Sequence, residues 1–196
     1  IEFHRETASD GFQVGDFYLG KVKKISPSLN AAFVHVGGEK DGFLTYFDLG
    51  PNLKSLRKVV KSAIGGHPRA ADLDEFTIEE PIVKTGKIGQ VLKSGEPLLV
   101  QVIKEPIGTK GARLTTQISI AGRFLVYLPQ QEHIGVSQRI EDEAEREQLK
   151  QRLLGLLPEQ RVGGYIIRTM SETATDEELL ADIDYLTKTW QHILAK

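Results

Sequence analysis

Gly15-Asp-Phe-Tyr-Leu-Gly-Lys-Val-Lys-Lys-Ile25, then a break at Pro27-Ser28, then Ala31-Ala-Phe-Val-His-Val36, is the stretch whose reading decides the fold. Apolar and polar residues alternate with a period of two in the first run, and the second is a short, mostly apolar run ended by glycines; both read as strands. Gly37-Gly38 turns the second run, and Asp41-Gly-Phe-Leu-Thr45 reads as a short third strand. Strands resume at Pro97-Leu-Leu-Val-Gln-Val-Ile103 and Arg113-Leu-Thr-Thr-Gln-Ile118, joined by the Gly/Pro-rich connection Lys104–Gly111. Short strands with glycine-bounded turns, five in number, predict a small Greek-key barrel of the oligonucleotide-binding kind.

On either side of these strands the pattern changes. Ile1 to Glu6 alternates and reads as the end of a strand, followed by a turn at Thr7–Gly11. From Asn52 to Ile64, Leu53, Leu56, Val59 (or Val60) and Ile64 fall near helical spacing, with Lys54, Arg57, Lys58 and Lys61 on other faces, which predicts a basic amphipathic helix. Gly65-Gly66-His67-Pro68 ends it, and residues 67–85 read as a polar loop. After Ile118 strand and helix alternate. Phe124–Leu128 reads as an apolar strand, Glu141–Leu157 as a helix burying Ala144, Leu149, Leu153, Leu154 and Leu157, and Tyr165–Arg168 as another strand. Thr175-Asp-Glu-Glu178 reads as a capping box opening a last helix, with Leu179, Ile183, Leu186, Trp190 and Ile193 inward. A barrel followed by an α/β layer makes the chain α+β.

The 196 residues are 40% hydrophobic and 27% charged, as expected of a chain that buries a core. No run approaches the roughly 20 apolar residues of a membrane span. There is no secretory pattern, and Ile1 stands where Met would open a chain, so the sequence reads as a piece of something longer. The lack of cysteine excludes disulfides and thiolate metal sites, and a cytoplasmic location is the expectation. Net charge is −2, but unevenly spread: residues 1–118 carry 16 Lys or Arg against 14 Asp or Glu, and residues 119–196 carry 9 against 13. A polyanion would need a local basic patch.

Two constellations stand out. If Ala32, Val34 and Val36 point inward, then Phe33 and His35 point outward, and Phe43 faces out beside the inward Leu44. Paired outward rings on adjacent strands need a cover, and a stacked nucleobase supplies one worth about 1–3 kcal/mol. Lys21, Lys23, Lys24 and Lys110 would then hold phosphates. Packing of the rings against the second domain or the 52–64 helix stands equally well on spacing. The second constellation is Ile167-Arg-Thr169 at a strand's carboxyl end, where α/β sheets collect ligands. Arg168 offers a fork matched to phosphate, Thr169 adds donors, and Gly122 lets backbone approach closely. On spacing alone, a salt bridge from Arg168 to the acidic helices has the stronger claim. The five histidines lack metal-ligand spacing, Gly108-Thr-Lys-Gly111 lacks the length of a phosphate loop, and no hydrolytic group is visible.

Several of these segments together resemble the ribonuclease E/G family. They are Gly20–Gly37, Gly42-Phe-Leu44, Lys104–Thr116, Ile118–Val126, Gly135–Glu141 and Gly164–Thr169, in order over nearly the whole chain. The resemblance implies an RNA-binding five-stranded barrel of the S-one type inserted in an incomplete ribonuclease-H-like domain. Residues 1–14 would end that domain's first segment, 15–118 would form the barrel with a helical insertion at about 50–90, and 119–196 would continue the ribonuclease-H-like part. It implies RNA contacts at Phe33, Phe43 and Lys110, and a 5′-monophosphate site at Gly122, Val126, Arg168 and Thr169. The partner implied is single-stranded RNA, preferably 5′-monophosphorylated, and the parent a homo-oligomeric endoribonuclease. Its magnesium, and a zinc shared between subunits, would belong to later domains, leaving no catalytic residue, metal or cofactor in this fragment. Two departures accompany the match. Gln138-Arg139 stands where the family commonly has paired arginines, and residues 48–93 are longer and more basic, so the 52–64 helix is expected to pack or to touch RNA. The rival expectations are a non-catalytic interaction or assembly module using the same aromatic face and, further off, a freestanding nuclease.

Overall fold

The computed structural model describes residues 11–65, 79–159, 161 and 163–195. The strand expected at Ile1–Glu6 and the loop expected over 67–78 lie outside the described residues. Contacts divide the chain into one unit of residues 1–53 and 81–117 and another of 54–80 and 118–196.

The first unit is built on strands β1 (Phe17–Ser26), β2 (Ala31–His35), β3 (Gly42–Thr45), β4 (Pro97–Lys104) and β5 (Arg113–Thr115). They close into a barrel in the order β1-β2-β3-β5-β4, in agreement with the expected Greek key. Strand β1 makes closure possible: residues 17–21 pair with β4 and residues 21–26 with β2, with an irregularity between Val22 and Lys24. A long strand bent at a bulge can serve both sides of a closing sheet. Val22, Ala32, Val34, Leu44, Leu98, Val100, Val102 and Leu114 fill the interior.

Residues 79–85, the described part of the polar loop expected over 67–85, are irregular chain ending in a turn, but one of them is apolar and points inward. Ile82 is buried in the barrel core, and its amide donates to the Pro51 carbonyl at 2.9 Å. Asn30, in the left-handed region at φ 46°, holds the same segment through Gly86 O at 3.1 Å and the Ile88 amide at 2.7 Å. A short helix follows.

Helix α1 (Leu53–Ile64) buries Leu53, Leu56 and Val60, while Ile64, expected inward, is exposed at its end. Its apolar stripe is therefore a packing surface. Lys58 pairs with Glu79 at 3.0 Å, and the Glu79 amide donates to the buried Ser55 hydroxyl at 2.8 Å. Helix α2 (Ile88–Val91) is four residues long, too short for periodicity to reveal.

The second unit's sheet has strands β6 (Ile120–Ala121), β7 (Leu125–Leu128), β8 (Ile134–Val136) and β9 (Gly164–Ile167), ordered β6-β7-β9-β8. Strands β7 and β9 lie where the apolar runs placed them. Within this sheet β8 pairs with β9 in parallel and the other pairs are antiparallel. Helix α3 (Glu143–Leu156) starts at Asp142, whose carboxylate accepts the Glu145 amide at 2.8 Å. It buries Leu149 and Leu153, and Leu157 follows, but Ala144 is exposed on its first turn, contrary to expectation. Helix α4 (Asp176–Ala195) opens on the expected capping box: Thr175 N donates to Glu178 at 2.9 Å, and Glu178 N to the Thr175 hydroxyl at 3.2 Å. Leu179, Leu186 and Trp190 are buried; Ile183 and Ile193 are half-buried. The buried stripe also includes Asp182, which nothing in the periodicity announced. Barrel, mixed sheet and helices together make the chain α+β.

Candidate nucleic-acid interface

Alternation along β2 and β3 sends Ala32, Val34 and Leu44 into the barrel and leaves Phe33 and Phe43 on its outer face, each half-buried. The two rings are direct cross-strand partners, with centroids 5.6 Å apart and planes tilted by 56°. They are not sealed in the core. They line an open cleft of about 780 Å³ with Lys40, Asp41, Lys104, Ile107, Lys110 and Arg113 among its walls.

Strand register extends the pair into a transverse row. Lys24 on β1 stands beside Phe33, Phe33 beside Phe43, Phe43 beside Arg113 on β5, and Arg113 beside Lys104 on β4. A cation thus flanks the aromatic pair on each side. Arg113 is steered by Asp48, with Nε–Oδ2 at 3.1 Å, and the same carboxylate accepts the Thr45 hydroxyl at 2.6 Å. Lys23 and His35 both approach Asp41, at 3.5 and 3.2 Å, so part of the β1 charge is spent within the face.

Lys110 sits in a tight turn closed by reciprocal backbone hydrogen bonds between Ile107 and Lys110. Lys40 ties this turn down by donating to the Gly108 carbonyl. Behind it Gly111 has no room for a side chain, because a Cβ would lie 2.0 Å from the Asp41 carbonyl oxygen. That contact lets β5 begin alongside β3, with the Phe43 amide donating to Ala112 O at 2.8 Å. Phe33, Phe43 and Lys110 are therefore brought to one cleft by three different segments.

The second unit gathers Gly122, Arg168 and Thr169 at one sheet end, with Val126 on the adjoining strand. Val126 pairs with Ala121 and Ile166, and Arg168 N donates to Phe124 O at 2.9 Å where β9 ends. The exposed Arg168 guanidinium donates to the Gly122 carbonyl and, among the described residues, forms no ion pair; the salt bridge favoured by spacing is not the arrangement found. Thr169 opens a short 3-10 turn in which the Ser171 hydroxyl donates to Phe124 O at 2.7 Å.

Asp182 organises this end from below, a residue that pattern reading missed. Its carboxylate accepts the amides of Arg123 at 3.1 Å, Phe124 at 2.8 Å and Leu125 at 2.9 Å. A Cβ on Gly122 would lie 2.5 Å from both of its oxygens, so glycine is required by the carboxylate's approach. The available signal was a lone acid on the apolar stripe of α4, three residues after Leu179 and four before Leu186. Gln138 and Arg139 are exposed on the following loop, which Arg146 fastens through the Ser137 and Ile140 carbonyls at 2.7 and 2.9 Å. The cross-strand partners Tyr127 and Tyr165 pack with ring centroids 5.1 Å apart and planes tilted by 42°, and burial pushes the Tyr165 phenol up to about 12 and Tyr127 higher still.

A sequence model of the Ribonuclease E/G family matches residues 119–196. The chain is 37% identical over 195 residues to Ribonuclease G of Escherichia coli (strain K12), covering 100% of this chain and 36% of that protein. Ribonuclease G of Haemophilus influenzae is 38% identical over 195 residues, with 100% of this chain and 35% of that protein covered. Ribonuclease E of Synechocystis is 36% identical over 180 residues, or 91% of this chain and 22% of that protein. The chain thus spans about a third or less of the length of these relatives. The alignment of this whole chain to about a third of the ribonucleases G, the family match over residues 119–196 and the closed barrel together support the ribonuclease E/G family for this chain.

Proposed function

We propose that this chain is the RNA-recognition part of a ribonuclease E/G-type endoribonuclease acting on single-stranded RNA. The observation that carries the reading is the aromatic pair Phe33–Phe43, open to a cleft and flanked in strand register by Lys24 and Arg113. Stacking uses the π-face common to every base, and flanking cations serve the phosphates. In this reading RNA crosses the strands, bases rest on Phe33 and Phe43, and Lys110 meets the backbone. A 5′-monophosphate is taken at the sheet end by Arg168, Thr169 and Gly122, beside Val126, which makes 5′-monophosphorylated RNA the preferred partner. Arg168's present bond to Gly122 O leaves its remaining guanidinium donors for phosphate oxygens.

The same proposal treats residues 119–196 as ribonuclease-H-like, the whole protein as a homo-oligomer and its setting as cytoplasmic. Magnesium, and a shared zinc, are proposed for parts of the whole protein beyond these residues. Among the described residues no cluster of three or more His, Asp or Glu side chains is placed to hold a metal ion. No helix among the described residues is long and apolar enough to cross a membrane. That the relatives are ribonucleases favours RNA over a protein-assembly role for the aromatic face.

The test is a binding titration with short single-stranded RNA. Phe33→Ala and Phe43→Ala should each weaken binding by about 1–3 kcal/mol without unfolding the barrel. Unchanged affinity in both would remove the stacking platform. For the 5′ end, Arg168→Gln should abolish a preference for monophosphorylated over hydroxyl-ended RNA. Equal affinity of the unaltered chain for both ends would refute the phosphate site.

A further inference from the structure

We infer that Ile107 is the opposing wall of the barrel cleft, an apolar lid that holds an RNA base down against Phe33 and Phe43; this rests on the RNA-binding reading above. Ile107 is 75% exposed, yet it lines the same cleft as the two rings. Its backbone is not loose. The Ile107–Lys110 turn is closed at 3.2 and 3.0 Å, Gly108 takes φ +55° at its tip, and Lys40 binds the Gly108 carbonyl. Gly111, pressed against Asp41, fixes the turn's exit. An isoleucine has a stiff β-branched side chain, so this turn presents a defined apolar surface to water.

The cleft's chemistry selects the occupant. Lys40, Lys104, Lys110 and Arg113 line it against two carboxylates, Asp41 and Glu105; with Asp48 paired to Arg113 from outside the cleft, an excess of one positive charge remains. What fills it must offer flat apolar faces and carry negative charge. A nucleobase on its phosphate chain offers both; free phosphate lacks the faces, and an apolar peptide lacks the charge. A base has two faces, and Phe33–Phe43 can take only one. Ile107 covers the other without hydrogen-bond readout, so the lid tightens binding while leaving base identity unread.

The experiment measures binding of fluorescein-labelled decauridylate to this chain by anisotropy, beside a matched abasic ribose-phosphate decamer. Ile107→Ser should weaken decauridylate binding about fivefold, from the loss of roughly one small apolar contact area. Ile107→Leu should retain most of the affinity, and Ile107→Ser should leave the abasic decamer unaffected. If Ile107→Ser binds decauridylate as well as the unaltered chain while Phe33→Ala binds it more weakly, the lid is refuted and the aromatic platform stands. If Phe33→Ala has no effect either, or the unaltered chain does not bind, both readings fall. Equal weakening toward the abasic decamer would assign Ile107 a structural part in the turn and overturn the lid. Loss of a self-associated form in sedimentation, with RNA affinity unchanged, would make a second copy the occupant and also overturn it.

Discussion

Replacing Asp182 with alanine should unfold the second unit more readily than any change of its exposed acids. Its carboxylate accepts three successive amides, of which those of Phe124 and Leu125 are buried. Truncation strands both donors where water does not readily reach, at about 1–3 kcal/mol each, and the half-exposed Arg123 amide adds less. Because the three share one acceptor group, their losses overlap, and the expected destabilisation is about 3–5 kcal/mol. Asp182→Asn is the informative companion. One oxygen can still serve Phe124 and Leu125, but the new amide group opposes the Arg123 N–H, and the expected loss is about 1–2 kcal/mol. Urea unfolding followed by fluorescence reads the right unit, since the chain has one tryptophan, Trp190, buried on the same helix. With a urea slope of about 1–3 kcal/mol per molar, the alanine variant's midpoint should fall by at least 1 M. Near the transition, Gly122 and with it the Arg168 anchor would loosen, so a 5′-monophosphate preference should fade while binding of hydroxyl-ended RNA persists. An Asp182→Ala midpoint indistinguishable from that of the unaltered chain would refute the claim that this carboxylate holds the turn.

Gly111→Ala should destabilise the barrel by about 2–3 kcal/mol, because the added Cβ meets backbone at Asp41 that cannot swing away; a denaturation midpoint within error of the original would contradict it. Alkaline pH should weaken the second unit. Burial raises the phenols of Tyr165 and Tyr127, so the unfolded chain releases these protons near pH 10 while the folded one retains them to about 12 at Tyr165. Stability present below pH 10 is therefore lost as pH climbs from 10 toward 12, and Tyr165→Phe should flatten that slope in urea midpoints taken at pH 9 and pH 11. An unaltered slope in the variant would show that the decline comes from other groups.

Legibility varied with the length of the signal. The barrel strands were readable from the alternation in β1 and from short apolar runs bounded by glycine and proline elsewhere, and the alternating direction of side chains along a strand placed Phe33 and Phe43 on the outer face. The capping box at Thr175–Glu178 was readable because both of its bonds lie within one turn of chain. Strands β6 and β8, of two and three residues, carried no period and were found only through their partners. Ile82 stands in a polar segment with no period to mark it, because its burial depends on Pro51 and on the barrel core, both remote in sequence.

By itself the sequence determined which faces of β2, β3 and α4 are apolar, since a side chain's direction along a strand or helix follows from backbone geometry alone. It also established the family resemblance and the residues that carry it. The tertiary structure decided what those faces meet. It set Lys24 and Arg113 in register with the aromatic pair and turned Arg168 toward a carbonyl, where spacing had favoured a carboxylate. It put a buried acid under the Gly122 turn. All but the Lys24–Phe33 pairing join segments tens of residues apart, and such pairings are fixed by barrel closure and hydrogen-bond satisfaction in three dimensions, which a one-dimensional period does not encode.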